Sequence, residues 1–392
     1  MIMRKVLLAA TAIIAALSSC QKDDEVQTPA GTPQITITTP AGGFTVDNLK
    51  WLRVSPAVTG DSASTAFTWT LNSDTISQGK NLMYVFAEAG TYTLTFTARN
   101  NAGSTQQQIV VKVANKTYDE NAISIYEYSP APGQFVNSLP AWEAGDNDEA
   151  IIAKAVEQLK NNGMISLGGF GGYVVLGLDH TIANKPGENS FRVEGNAFAN
   201  WSEAGIVMVA ADVNGNGLPD DEWYEIAGSE YKHTETIHGY KITYYKPDEH
   251  KEPTPDGMYQ SDTTYIRWKD NQGKSGYISR NVFNTSSYYP QWKADSISFT
   301  GTCLTSKNIH DLSGDGSSFI SPSFPWGYAD NWGNTDDNGG IKISWAVDKD
   351  GNAVHLPGVD FIKVYTGMRA EAGWLGEIST EVTGLKDYSL LK

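Results

Sequence analysis

From Gln34 to about Asn115, apolar and polar positions alternate with a period of two, as in Ile35-Thr36-Ile37-Thr38, Phe67-Thr68-Trp69-Thr70-Leu71 and Tyr92-Thr93-Leu94-Thr95-Phe96. Successive side chains of a strand point to opposite faces, so this pattern predicts strands with one buried face. Between Asp146 and Asn162 the period changes. Ile151, Ile152, Ala155, Val156 and Leu159 recur at helical spacing, with Asp146, Asn147 and Asp148 as capping candidates and Gly163 as the stop. Short apolar runs then return at 173–178, 205–211, 240–245, 265–268, 297–299, 341–347 and 361–365, separated by Gly, Pro, Asn and Asp clusters. The expectation is a mainly β chain, with a small sandwich over 34–115 and a larger jelly-roll-like β-sandwich with one packed helix over 116–392. The connections 246–263 and 305–340 are too long for hairpin turns, and loops of that length are usually functional or disordered.

The first residues follow a different logic. Arg4 and Lys5 precede an apolar run from Val6 to Leu17 that is too short to span a bilayer stably. Leu17-Ser18-Ser19-Cys20 matches the lipobox of bacterial lipoproteins, so 1–19 are expected to be a signal peptide and Cys20 the lipidated residue. Gln21-Lys22-Asp23-Asp24-Glu25 resembles the export tag of surface lipoproteins in the Bacteroidota. That resemblance implies an outer-membrane protein facing the exterior, with residues 20–33 as a polar, proline-containing tether.

Two further resemblances bear on the domains. Tyr84 to Gly103 places a glycine at a strand corner, then Tyr92, alternating apolar residues and an Asn-Ala-Gly turn, and so resembles PKD domains. That implies an immunoglobulin-like sandwich in which Trp69 is the core tryptophan. Gly168 to Ile182, Phe191 to Phe198, Gly205 to Asp212 and the tail from Phe361 to Glu377 resemble cell-surface proteins of Bacteroidota. Some members of that group are associated with corrinoid (vitamin B12) acquisition beside TonB-dependent outer-membrane transporters. The resemblance implies capture of a small ligand, a corrinoid first, for such a transporter. A carbohydrate-binding protein of a glycan-uptake system is the alternative, and a glycoside hydrolase or adhesin a third class.

Charge and composition narrow the partners. The 392-residue chain has a net charge of −16, and loss of Arg4 and Lys5 makes it more acidic still, which excludes nucleic acid as a natural partner. Anionic lipid is disfavoured for the same reason, leaving the acyl anchor as the membrane contact. With Cys20 committed to lipid, Cys303 has no disulfide partner, and its strand-like surroundings predict a buried, inert thiol. His180, His233, His238, His250, His310 and His355 are dispersed without metal spacing. No nucleophile elbow, His-Glu-x-x-His pair or phosphate-cradling loop occurs, and the expectation is a binding protein, not an enzyme.

Two motifs remain. Asp212-Val-Asn-Gly-Asn-Gly-Leu-Pro-Asp-Asp-Glu222 follows the first part of an EF-hand-like calcium loop. Asp212, Asn214 and Asn216 would give side-chain oxygen, Leu218 its carbonyl, and Asp220 or Asp221 the closing carboxylate, although Trp223 replaces the usual bidentate glutamate. The alternative is an Asx-rich turn that binds nothing. The loop from Phe324 to Gly333 concentrates aromatics among polar residues, so Trp326, Tyr328 and Trp332, with Asp330 and Asn331 at the rim, are the candidate ligand surface. Asn284 to Trp292 is a second, thinner candidate.

Overall fold

The computed structural model describes residues 31–60 and 64–391. The signal peptide, Cys20 and most of the tether lie outside them. Among the described residues no helix is long and apolar enough to cross a membrane.

The N-terminal domain is the expected immunoglobulin-like sandwich. Phe44–Asp47, Gly103–Ala114, Gly90–Asn100, Ala66–Leu71 and Asp74–Ser77 form a five-stranded sheet in that order. The pairs Trp51–Val54 with Leu82–Val85, and Gln34–Thr36 with Ala57–Thr59, complete it. The inward residues of the alternating runs, Leu94, Phe96, Ala98, Ile109, Val111 and Val113, close on Trp69. That ring is wholly buried, and its indole N–H donates to the Lys80 carbonyl at 3.1 Å, so its one polar atom is satisfied in the core.

The larger domain is a sandwich of two antiparallel sheets. The first has six strands in the order Ser124–Ser129, Tyr173–Ala183, Gly358–Thr366, Gly205–Ala210, Tyr224–Ile226 and Ala346–Val347. The second has Ser275–Asn281, Gln260–Asp270, Ile237–Tyr245 and Ser296–Cys303. Its inner face packs Tyr240, Ile242, Tyr244, Ile266 and Phe299 against Ile206, Met208 and Tyr365 of the first. The other face of the six-stranded sheet, carrying Val174, Leu176, Val207, Val209, Ile362 and Val364, is also covered. This is why its central strands read as near-continuous apolar runs instead of alternating ones.

Part of that cover is the helix Asp148–Lys160, which turns Ile151, Ala155 and Leu159 inward. Asn147 caps it by accepting from the Ala150 N–H at 3.0 Å. Two short ladders lie on the same side and carry the chain past the sheet edge: Ile165–Ser166 with Glu381–Val382, and Phe191–Glu194 with Gly384–Asp387. They bring the C-terminal segment beside residues 195–203, and this crossing positions the site.

The domains share a small apolar cluster of Leu49, Val85, Tyr118 and Ala183. Asp360 pins the joint. One of its oxygens accepts from the Trp51 indole at 2.8 Å and the Asp212 N–H at 2.7 Å, and the other from the Thr181 hydroxyl at 2.6 Å. His180 is buried at the same joint against the Tyr118 ring, between Asp179 at 2.7 Å and Asp387 at 3.0 Å. Burial opposes its charge, but the hydrogen bonds it donates to both carboxylates prevail and hold its pKa above the ordinary histidine value.

Candidate functional site

A cavity of about 420 Å³ opens where residues 195–203, 319–321 and 372–381 meet. Its walls are mostly apolar: Phe135, Leu139, Met164, Trp201, Ile309, Phe319, Ile320, Leu375 and Ile378. Three carboxyls, Glu203, Glu377 and Glu381, also line it. An apolar pocket with a few convergent polar groups is the arrangement that small-ligand sites share. The larger cleft beside the domain joint, about 670 Å³ between Asp119 and Lys386, is lined chiefly by polar groups and has no such convergence.

The carboxyls are held by local backbone geometry. Asp330 stands directly behind the floor, and ligand-capable atoms of Glu203, Asp330 and Glu381 lie within 4.8 Å of one another. Asp330 Oδ1 accepts from the N–H groups of Asn196 and Ala197, both at 2.8 Å, and Oδ2 from that of Glu381 at 2.9 Å. It thereby ties three chain segments together. The carboxylate fits only because residue 195 is glycine: a Cβ there would fall 2.2 Å from Asp330 Oδ1. Asp330 itself has φ +47°, a conformation that aspartate tolerates better than most residues. Glu381 is fixed by the Ser379 hydroxyl at 2.8 Å, and Glu203 by the Ser379 N–H at 3.1 Å.

Such a cluster cannot be fully ionised. Burial, reinforced by the neighbouring Glu381 charge, pushes Asp330 up to about 8. Burial pushes Glu381 up to about 7, and burial together with the charges of Glu381 and Asp330 holds Glu203 well above the usual carboxylate range. Carboxyl oxygens of Glu203 and Glu381 lie within 4.8 Å of each other, so each disfavours the charge of the other. Glu377, whose oxygens accept from the Gln134 N–H at 2.6 Å and its side-chain amide at 3.3 Å, is pushed up to about 7 by burial.

The aromatic loop expected to carry the ligand does not line this cavity. Tyr328 is buried in the inter-sheet core, its hydroxyl accepting from the Glu230 N–H at 2.8 Å. Asn331 is buried too: its oxygen accepts from the Ser202 hydroxyl and the Phe324 N–H, and its amide donates to the Phe324 carbonyl. Trp332 is half-buried, with its indole bonded to that same carbonyl at 2.8 Å. Only Trp326 reaches the surface, and its ring rests 4.5 Å from that of Trp345. The loop is a folded strap over the sheet edge, because its polar side chains satisfy backbone groups that would otherwise be buried unpaired. Of the five expected residues Asp330 alone belongs to the site, as a buried support and not at a rim. The second candidate is likewise largely interior: Tyr288 and Tyr289 are fully buried.

The Asp212 loop is an exposed ring of hydrogen bonds. Asp212 accepts from the N–H groups of Gly215, Asn216 and Gly217 at 2.8–3.1 Å. Asp220 sits between the amides of Asn214 and Asn216 at 2.8 and 2.9 Å, and these amides hold its pKa below the ordinary value. Asp221 turns back to the Val213 N–H at 2.9 Å, and Leu218 is exposed. A half-turn of the two amides, which exchanges nitrogen for oxygen, would direct Asn214 and Asn216 oxygen toward Asp220. Arg53 of the first domain donates to the Val213 carbonyl at 2.8 Å, so the loop abuts the domain joint. Cys303 is buried, and burial pushes its thiol up to about 11, which leaves no thiolate for chemistry.

Among known proteins, residues 34–113 match the PKD domain. No curated protein sequence matches the chain. Among solved structures, a SusE-like protein aligns over 91% of this chain and 97% of its own at 10% identity, with a TM-score of 0.26. Promiscuous carbohydrate-binding modules of the β-sandwich superfamily align over 91% and 98% at 10% identity and a TM-score of 0.18. Human titin ZIg10 aligns over 29% and 98% at 17% identity and a TM-score of 0.18. Resemblances at these TM-scores assign neither fold nor function.

Proposed function

We propose that this is a lipid-anchored outer-membrane protein, tethered through Cys20 and facing the exterior, that captures a small saccharide in the Trp201–Glu381 cavity for an importer such as a TonB-dependent transporter. The observation that carries the reading is the cavity itself, with apolar and aromatic walls above convergent carboxyls. Sugar rings present apolar C–H faces to aromatic walls and hydroxyls to carboxyl acceptors. About 420 Å³ encloses one or two such rings. A corrinoid, with its macrocycle, amide arms and nucleotide loop, is far larger than this space, so size favours the saccharide.

Binding without turnover is part of the reading. Glycosidase carboxyl pairs stand roughly 5–10 Å apart to leave room for a sugar carbon or a water. Carboxyl oxygens of Glu203 and Glu381 instead lie within 4.8 Å of each other, and Asp330 has both oxygens committed to N–H groups. Titration calorimetry of the mature protein against a glycan panel and cyanocobalamin is the test. We expect heat with a mono- or disaccharide, about a tenfold loss of affinity in Trp201→Ala, and no released sugar. Heat with cyanocobalamin alone would replace the saccharide by the corrinoid, and glycan cleavage would make the protein an enzyme.

We also propose that the Asp212 loop holds calcium in a structural role, stiffening the joint that Arg53 and Asp360 make. The expected result is a Tm that falls by several degrees on chelation in the native protein and does not respond in Asp212→Ala. Equal chelator responses in the two proteins would leave the loop as an Asx turn.

A further inference from the structure

Outside the cavity, three aromatic rings from separate segments meet at the surface. Tyr259, Phe283 and Trp374 have ring centroids 5.3–6.1 Å apart, and the Tyr259 and Phe283 rings stack at 30°. Phe283 is 61% exposed, Tyr259 36%, and Met258 beside them 77%. Rings free to move would turn inward, because exposed apolar surface is costly. These are held out by polar anchors beneath them.

The anchor is Asn281, which is almost wholly buried. Its amide donates to the Trp374 carbonyl at 3.2 Å and its oxygen accepts from the Phe283 N–H at 3.0 Å. The Val282 N–H donates to the Tyr259 carbonyl at 3.0 Å, and the Trp374 indole to the Ser317 carbonyl at 3.1 Å. All three rings therefore sit on fixed backbone, and a rigid aromatic surface loses little conformational entropy when it binds.

The same anchor forms the cavity wall. The Asn281 amide also donates to Gln134 Oε1 at 2.6 Å, and Gln134 lines the cavity with its neighbour Phe135. Asn284, next to Phe283, donates to the Gln134 carbonyl at 2.6 Å. Leu375 and Gly376, which follow Trp374, line the cavity as well. Phe135, 45% exposed, belongs to both the wall and the outer surface. Cavity and rings are two faces of one strut.

We infer that the Tyr259–Phe283–Trp374 rings are an outer subsite for the same ligand, so that the substrate class is a linear oligosaccharide with its terminal rings in the cavity and the following rings stacked on this platform. The inference rests on the saccharide reading of the cavity. Continuity with the cavity favours a chain over a detached second ligand, and the exposed ring faces suit the apolar C–H faces of successive sugar rings.

The test is calorimetry on the full mature chain with matched short and long probes: maltose and maltohexaose, cellobiose and cellohexaose, xylobiose and xylohexaose. In the series that binds, affinity is expected to rise about tenfold or more from the short probe to the long one. Phe283→Ala, which removes an exposed ring with no side-chain hydrogen bond, should abolish that gain and leave the short probe unchanged. Trp374→Ala should do the same, with a thermal melt to confirm folding. If a disaccharide binds but length adds nothing, or if the gain survives Phe283→Ala, the platform is overturned and the cavity reading stands. If no saccharide of any length binds, the cavity reading fails and takes the platform with it. Self-association of the native chain that Phe283→Ala abolishes would assign the rings to an interface between copies and overturn the subsite.

Discussion

Asp330→Ala is expected to lower the unfolding free energy by roughly 4 kcal/mol. The part-buried N–H groups of Asn196 and Ala197 and the buried N–H of Glu381 lose their acceptor together. Each orphaned donor costs about 1–3 kcal/mol, less where water enters from the cavity. The φ of +47° adds about 1 kcal/mol for alanine, which lacks the local hydrogen bonding that lets aspartate occupy this region. Against a typical total of about 5–15 kcal/mol this is a large fraction. Urea denaturation at pH 6 measures it. Asp330→Gly relieves the backbone strain but not the lost bonds, so it should recover only about 1 kcal/mol. Asp330→Asn keeps an oxygen for Asn196 and Ala197 but turns an amide toward the Glu381 N–H, and should fall between alanine and the native protein. An alanine variant as stable as the native chain would mean that the three donors exchange freely with water, and Asp330 would not be the support of the cavity floor. Saccharide affinity should weaken in all three variants, because Asp330 fixes Glu381 through its backbone.

How far the sequence revealed this arrangement follows from the range of each interaction. Trp69, the Asn147 cap and the helix that turns in Ile151, Ala155 and Leu159 are set by neighbours a few residues away, and period and capping chemistry expose them. The cavity is built by contacts of long range. Glu203 follows an unremarkable Trp201-Ser202, Glu381 lies near the C-terminus, and no spacing rule connects them. The Phe324–Gly333 loop misled for a related reason. Its composition is that of an exposed binding loop, but Asn331 and Asp330 spend their polar atoms on distant backbone, and Tyr328 spends its hydroxyl on Glu230. A buried polar residue with all its partners looks the same in sequence as one facing a ligand. The Asp212 loop was legible because its bonds are local, and what sequence could not show is Arg53 reaching it from the first domain. Phe135, Phe283 and Trp374 come from separate segments, and only the fold places them on one strut.

Stability is expected to be greatest near pH 5 and to fall by roughly 3–6 kcal/mol by pH 8, read as a declining Tm across that range. Glu377 and Glu381 are held at about 7 and Asp330 at about 8 by burial, as is Glu225, at about 7, beside Thr302. Their unfolded values lie near 4, so the folded state binds protons that the unfolded state releases. The stabilisation is complete below about pH 4 and is lost as pH rises through the folded values. His180 has the same sign: its contribution is present below about 6.5 and disappears as pH rises through its elevated folded value. The opposing groups include Asp146, Asp220, Asp262, Asp311, Asp348 and Glu235, whose lowered values favour the fold above their ordinary range and forfeit that stability as pH falls through the folded values. The coupled floor carboxyls do not add independently, and the Glu203–Glu381 pair tests their share. Glu203→Gln reproduces the protonated acid: it can donate to Glu381 and accept from the Ser379 N–H. It should leave the Tm unchanged at pH 5, raise stability by about 1–2 kcal/mol at pH 8 and flatten the slope between them. A slope identical to the native one would mean that the charges of Glu203 and Glu381 do not oppose each other. A saccharide that donates hydroxyls to Glu381 stabilises the ionised floor, so the same linkage makes it bind more tightly, and raise the Tm more, at pH 8 than at pH 5.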